Sequence, residues 1–156
     1  MLRSATYTFD SGALVKLAKD SAGIRRVVKY ALASRTPVIV PTTVLSEWWR
    51  SGGRAHERAL EILKPVIQIE VLTERVAKVA SNALAWYSTT LKTTDATERE
   101  RLTALVTIDA TVLATACLLG RKTSTTPVTV YTGDMKDMQA LANFKEFPGV
   151  VLLPPD

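Results

Sequence analysis

Cysteine and histidine each occur once in the chain, as Cys117 and His56. One thiol closes no internal disulfide, and one residue of each kind builds no Cys/His zinc site. A Ser-His-Asp triad has only His56 to draw on. That residue lies in the polar run Gly53-Arg-Ala-His-Glu-Arg58, which reads as solvated helix surface. Cys117 sits inside Leu113-Ala-Thr-Ala-Cys-Leu-Leu119, an apolar helical pattern, and reads as a buried packing residue. No run approaches the roughly 18 apolar residues of a membrane span. The apolar stretch and small-residue cleavage site of a secretory signal are missing as well. A cytoplasmic protein with no membrane partner is expected. Glycine-rich nucleotide fingerprints are absent. Chemistry must therefore rest on carboxylates, hydroxyls and basic groups.

What is present is a core. The chain has 156 residues, 47% apolar and 22% charged, which suits one domain over residues 1–156 and argues against disorder. No repeat, low-complexity run or interdomain linker divides it. The formal net charge of +5 is a modest pointer to a polyanionic partner.

Thr6-Tyr-Thr-Phe-Asp10 alternates β-formers and predicts a strand. Ser11-Gly12 breaks it, and residues 14–34 read as helix, interrupted near Asp20-Ser-Ala-Gly23, until Arg35-Thr-Pro37 stops it. Val38-Ile-Val40 predicts a strand buried on both faces. Pro41-Thr-Thr43 turns it into a helix capped by Thr42 or Thr43. On that helix Val44, Leu45 and Trp48 face inward, so one of the adjacent Trp48 and Trp49 must face out. After a break at Ser51-Gly-Gly53, residues 55–64 predict a short helix, residues 66–71 a third strand, and residues 73–91 a long amphipathic helix. The polar segment 92–101 reads equally as loop or helical lead-in. Residues 108–119 predict a helix stopped by Gly120. Ser124-Thr-Thr-Pro127 leads into a strand over 128–132, then a helix over 134–142 and a last strand over 150–153. Alternating strands and helices with long crossovers predict an α/β sandwich around a parallel sheet.

In such a sheet, residues just past the strands gather at one edge, where ligands bind. Asp10 follows the first strand, Glu47 lies early in the helix after the second, Asp109 opens the helix at Ile108, and Asp134 follows Thr132-Gly133. Asp137 stands one turn beyond Asp134. Each alone also reads as a helix cap or surface charge. Together they form an anionic cluster that a cation would relieve. Carboxylate oxygens without Cys or His suit a hard ion, Mg²⁺ or Mn²⁺, which can activate water and offset charge on a phosphate. Phosphodiester hydrolysis is the chemistry such a cluster predicts in a basic protein.

At this point the chain resembles the PIN-domain ribonucleases, and among them the VapC-type toxins of toxin–antitoxin pairs. The matching pieces are Phe9-Asp-Ser-Gly-Ala-Leu14, Val40-Pro-Thr-Thr-Val-Leu-Ser-Glu47, Ile108-Asp-Ala-Thr-Val-Leu-Ala114 and Tyr131-Thr-Gly-Asp-Met-Lys-Asp137. They span nearly the whole chain in the family's order. The resemblance implies a three-layer α/β/α sandwich. It implies that Asp10, Glu47, Asp109 and Asp134 are the acidic metal-site residues, with Asp137 supporting them. Thr132, and Ser11 with it, would hydrogen-bond a carboxylate or water. It further implies Mg²⁺ or Mn²⁺, endonucleolytic cleavage of an RNA substrate, a homodimer, and a small antitoxin whose tail covers the site. Two departures are Met138, where an aromatic residue often stands, and the length of segment 92–101.

Arg50 and Arg54, with Lys16 and Lys136 behind them, are candidates for holding an RNA backbone. Other enzyme classes lose on particular residues. Asp10-Ser11 is not the acidic pair of a receiver-like phosphoacceptor, and Gly12 stands where a haloacid-dehalogenase-like phosphatase needs a second acid. The remaining alternatives are a catalytically idle interaction module of the same fold and a housekeeping RNA-processing nuclease.

Overall fold

The computed structural model describes residues 6–50, 53–123 and 128–156. Elements alternate along the chain as the sequence predicts. The strands are β1 (Tyr7–Phe9), β2 (Val38–Pro41), β3 (Ile67–Glu70), β4 (Val128–Tyr131) and β5 (Val150–Leu153). The helices are α1 (Ser11–Ala18), α2 (Ala22–Ser34), α3 (Thr42–Arg50), α4 (Arg54–Leu63), α5 (Glu74–Thr90), α6 (Ala96–Leu105), α7 (Thr107–Thr123) and α8 (Met135–Ala142).

All five strands are parallel, in the order β3-β2-β1-β4-β5. Right-handed crossovers send α1 to α4 over one face and α5 to α8 over the other. The packing agrees: α1 lies against α3 and α4, and α7 against α5 and α8. The sheet is thus the middle of three layers. Its central strands carry Phe9, Val38, Val40 and Val130, all fully buried, because a parallel sheet covered on both faces leaves no wet side. Strand β3, at the edge, exposes Ile69. Among the described residues, no single helix is long and apolar enough to cross a membrane.

Several local expectations need correction. Gly120 does not stop α7, which runs on to Thr123. Gly120 is buried, and tertiary packing outweighs the roughly 1 kcal/mol a mid-helix glycine costs. Neither Thr42 nor Thr43 is spent on capping α3. Thr42 Oγ1 accepts from the Leu72 amide at 3.2 Å, and the Thr43 hydroxyl lies 2.7 Å from that of Thr111. His56 is half-buried rather than fully solvated: its Nε2 is shut from water and its ring lies 4.4 Å from that of Trp48. Helix α4 packs against α1, and its first turn brings the His56 ring to the Trp48 indole. Trp48 is buried and Trp49 half-exposed, as adjacent helical positions require. The open segment 92–101 is an irregular lead followed by α6, capped by the Asp95 carboxylate at 3.0 Å from the Glu98 amide. The expected break at Ser51-Gly52 and the lead 124–127 lie outside the described residues.

The loops after β1 and β4 touch backbone to backbone. A Cβ on Gly12 would stand 2.7 Å from Gly133 Cα, closer than carbon atoms can approach. Gly12→Ala is therefore expected to destabilise the protein by about 1–3 kcal/mol, the range for forced overpacking. Denaturant midpoints of variant and parent measure it; an unchanged midpoint would show that the loops separate freely.

Candidate metal centre

Strand order reverses between β1 and β4, so the crevice at their carboxyl ends is the switch point where open α/β sheets hold ligands. Register aligns the two chains there. Phe9 pairs with Tyr131, and the Asp10 amide donates to the Tyr131 carbonyl at 3.2 Å, which sets Asp10 beside Thr132-Gly133.

Asp10 is buried and heavily bonded. Its Oδ1 accepts from the Ala13 amide at 2.9 Å, capping α1. The Gly133 amide donates across to both carboxylate oxygens at 3.3 and 3.2 Å. The helix-cap role and the site position are thus one arrangement, because the cap holds the carboxylate still while leaving it at the crevice. Burial pushes its pKa up, bonds from the Thr132 side chain and the Ala13 and Gly133 amides pull it down, and the charge of Glu47 pushes it up again. Thr132 is fully buried, and its Oγ1 also accepts from the Asp134 amide at 2.9 Å. One hydroxyl thereby ties Asp10 to the start of α8. Asp134 caps that helix, its Oδ1 accepting from the Asp137 amide at 3.4 Å.

The structure brings Asp10, Glu47, Asp109 and Asp134 to a single cleft of about 240 Å³, with Ser11 and Gly133 in its wall. Glu47 reaches it from the second turn of α3, and Asp109 from the first turn of α7. Asp137 joins Asp109 and Asp134 in the tightest group: one carboxylate oxygen of each lies within 4.8 Å of the others. Asp10 and Glu47 stand outside that trio but act on it. Burial first, then the charges of Asp134, Asp10, Asp137 and Glu47, raise the Asp109 pKa to about 8. Asp137 is raised by burial and by Asp134.

This donor set fits a hard divalent cation. Every candidate ligand is a carboxylate oxygen. None of these acids forms an ion pair with Lys or Arg among the described residues. Burial and the neighbouring carboxylate charges both disfavour ionisation of Asp109, a penalty that a bound cation would relieve.

The basic candidates are dispersed. Arg50 and Arg54 are exposed at the facing ends of α3 and α4, and Lys136 is exposed on the first turn of α8. Lys16 is engaged, 2.8 Å from the Asp156 carboxylate. Two features escaped sequence reasoning. Thr111 donates to the Ile108 carbonyl at 2.6 Å, so the hydroxyl proton in its contact with Thr43 comes from Thr43; this strut holds α3 on α7 near Glu47 and Asp109. Tyr87, nearly buried on α5, has its phenol pKa raised by burial and by Asp137, Asp134 and Asp109, so it stands close to the cluster. A lone threonine and a core-facing tyrosine carry no sequence signal of either role.

No protein-family model matches the chain, and no curated protein matches it in sequence. Solved structures do match in shape. A chain of the DNA-bound VapBC complex from Salmonella typhimurium superposes with a TM-score of 0.58 at 10% identity, covering 97% of this chain and 99% of that one. A chain of Rickettsia felis VapBC2, bound to a promoter fragment, gives 0.57 at 12% identity, covering 96% and 98%. Mycobacterium tuberculosis VapC20, described as a toxin cleaving the sarcin-ricin loop, gives 0.51 at 22% identity, covering 86% and 95%. In fold, then, this chain stands with the VapC-type structures: a PIN-like α/β/α sandwich over nearly its full length.

Proposed function

We propose that the protein is a divalent-metal-dependent endoribonuclease, the toxin of a type II toxin–antitoxin pair that blocks translation by cutting RNA. One observation carries the reading: four acids from distant parts of the chain line one small cleft at the sheet's switch point. The shared fold with a toxin that cleaves the sarcin-ricin loop supports it.

In this reading Asp109, Asp134 and Asp137 hold Mg²⁺ or Mn²⁺, with Asp10 and Glu47 completing the anionic wall. The bound ion supplies an activated water and offsets charge on the phosphate under attack. Asp10 is kept in one orientation by the Ala13 and Gly133 amides and the Thr132 hydroxyl, so little rearrangement is needed at the moment of reaction. Thr132 keeps the first turn of α8, and with it Asp134, at a constant distance from Asp10. Arg50 and Arg54 hold the RNA backbone, with Lys136 beside the cleft. Lys16 would first have to leave Asp156. A small antitoxin covering the cleft, and a homodimer, belong to the same proposal; the VapBC matches come from toxin–antitoxin complexes.

Purified protein is expected to cut RNA in Mg²⁺ or Mn²⁺ and to stop in EDTA. Asp10→Asn should be inactive while keeping its fold, since an amide oxygen still caps α1. Equal cleavage by parent and variant would put the activity elsewhere. Expressed alone in a bacterium, the protein should arrest growth, and co-expression of its antitoxin should restore it. Unimpaired growth under expression that yields active enzyme would remove the toxin role.

A further inference from the structure

A second cavity, of about 470 Å³, shares no lining residue with the acidic cleft. It forms where the segment after β3 and the first turn of α5 face the last turns of α7. Its apolar surface comes from Val71, Val76, Leu118 and Leu119. Its charge is unbalanced. Arg75, Arg121 and Lys122 line it against one carboxylate, Glu70, leaving an excess of two positive charges.

None of the three cations forms an ion pair among the described residues. Arg121 gives one bond, to the Glu146 carbonyl, and a guanidinium has five donors to give. Glu70 accepts from the Gln68 side chain. The Thr73 hydroxyl accepts from the Val76 amide at 3.2 Å and still has its proton to donate. Thr115, almost wholly buried, adds a second hydroxyl to the wall.

We infer that this cavity binds a nucleoside monophosphate, free or as the phosphorylated end of an RNA. A phosphate monoester carries close to two negative charges at neutral pH, matching the excess. A carboxylate would leave one cation unanswered, and a metal ion would be repelled. Arginine forks pair with phosphate oxygens two bonds at a time. The four aliphatic side chains offer a surface on which a base can pack, and the volume is in the range of small-ligand sites. This site stands whether or not the acidic cleft cuts RNA.

Titration calorimetry of the full chain with AMP, in EDTA so that no metal links the nucleotide to the acidic cleft, tests it. Saturable AMP binding is expected, with adenosine and inorganic phosphate each about tenfold weaker or more, since each lacks half of the contacts. The exposed pair Arg75→Gln/Lys122→Gln should weaken AMP by about tenfold or more. Leu118→Asp, which puts negative charge among the apolar side chains, should do the same. A hexaribonucleotide with a 5′-phosphate, compared with its 5′-hydroxyl form, separates the two sources: preference for the phosphorylated oligomer over AMP assigns an RNA end, and the reverse a free nucleotide. No saturation at millimolar AMP, adenosine binding as tightly as AMP, or undiminished affinity in the double variant would each overturn the site.

Discussion

Asp109→Asn is expected to lower metal-dependent RNA cleavage on the order of 10²- to 10³-fold, the scale of losing one preorganised electrostatic group. The same substitution should make the metal-free protein more stable than the parent at pH 8. The two effects have one cause. Asp109 is largely buried among Asp134, Asp10, Asp137 and Glu47, and both burial and their charges oppose its ionisation. An asparagine there has nothing to ionise, so the repulsion goes, and with it a ligand for the ion. A substitution that merely damaged packing would lower activity and stability together. Cleavage rates beside thermal midpoints, both with and without Mn²⁺, distinguish the cases. A variant that is less stable than the parent without metal would contradict the electrostatic account.

The second large effect is a pH dependence of opposite sense to that of most carboxylates. A folded-state pKa of about 8 for Asp109, against an ordinary 3.8, means that the folded protein keeps a proton which the unfolded chain gives up. The stability this proton provides is fully present below about pH 4 and is lost as pH rises through about 8. Asp10 and Asp137 are raised too and act in the same direction. At about 1.36 kcal/mol per unit the shift bounds the Asp109 contribution near 6 kcal/mol; water reaching the open cleft reduces this to about 2–3 kcal/mol. Metal-free protein is thus expected to melt at progressively lower temperature between pH 5 and pH 8. Mg²⁺ or Mn²⁺ should raise the melting temperature more at pH 8 than at pH 5, because binding must displace the shared protons. A flat metal-free profile, or a metal effect equal at both pH values, would show that the acids do not repel one another as their placement requires.

The strands were legible because their evidence is local. Val38-Ile-Val40 and Val150-Val-Leu-Leu153 are β-branched or apolar runs between turn residues, and they form strands of the parallel sheet. Helix ends were legible where a side chain caps its own helix, as Asp10, Thr73 and Asp134 do. They were misread where the side chain or the glycine answers to a distant partner. Thr43 bonds Thr111, 68 positions away, and Gly120 disappears into a packed helix. His56 reads as polar surface in its own hexapeptide, yet its ring lies at a tilt against that of Trp48, 4.4 Å away, once the chain is folded.

The candidate site divides along the same line. That Asp10 and Asp134 follow strands is written in the sequence, and parallel strands end at one edge, so their meeting needs only the sheet. Asp109 follows no strand. It opens α7 directly after α6, and only the packing of α7 against α3, α5 and α8 carries it to the same cleft. Asp137, one turn along α8, becomes part of the closest trio because that helix starts from an aspartate tied through Thr132 to Asp10. The sequence by itself determined the kinds of side chain available, carboxylates with no cysteine or histidine set, and the local turns that place some of them at strand ends. The distances between those carboxylates, the repulsion that follows, and the second cavity with its excess of positive charge were decided only by tertiary packing. Coulomb energy depends on separation in space, and separation along the chain does not specify it.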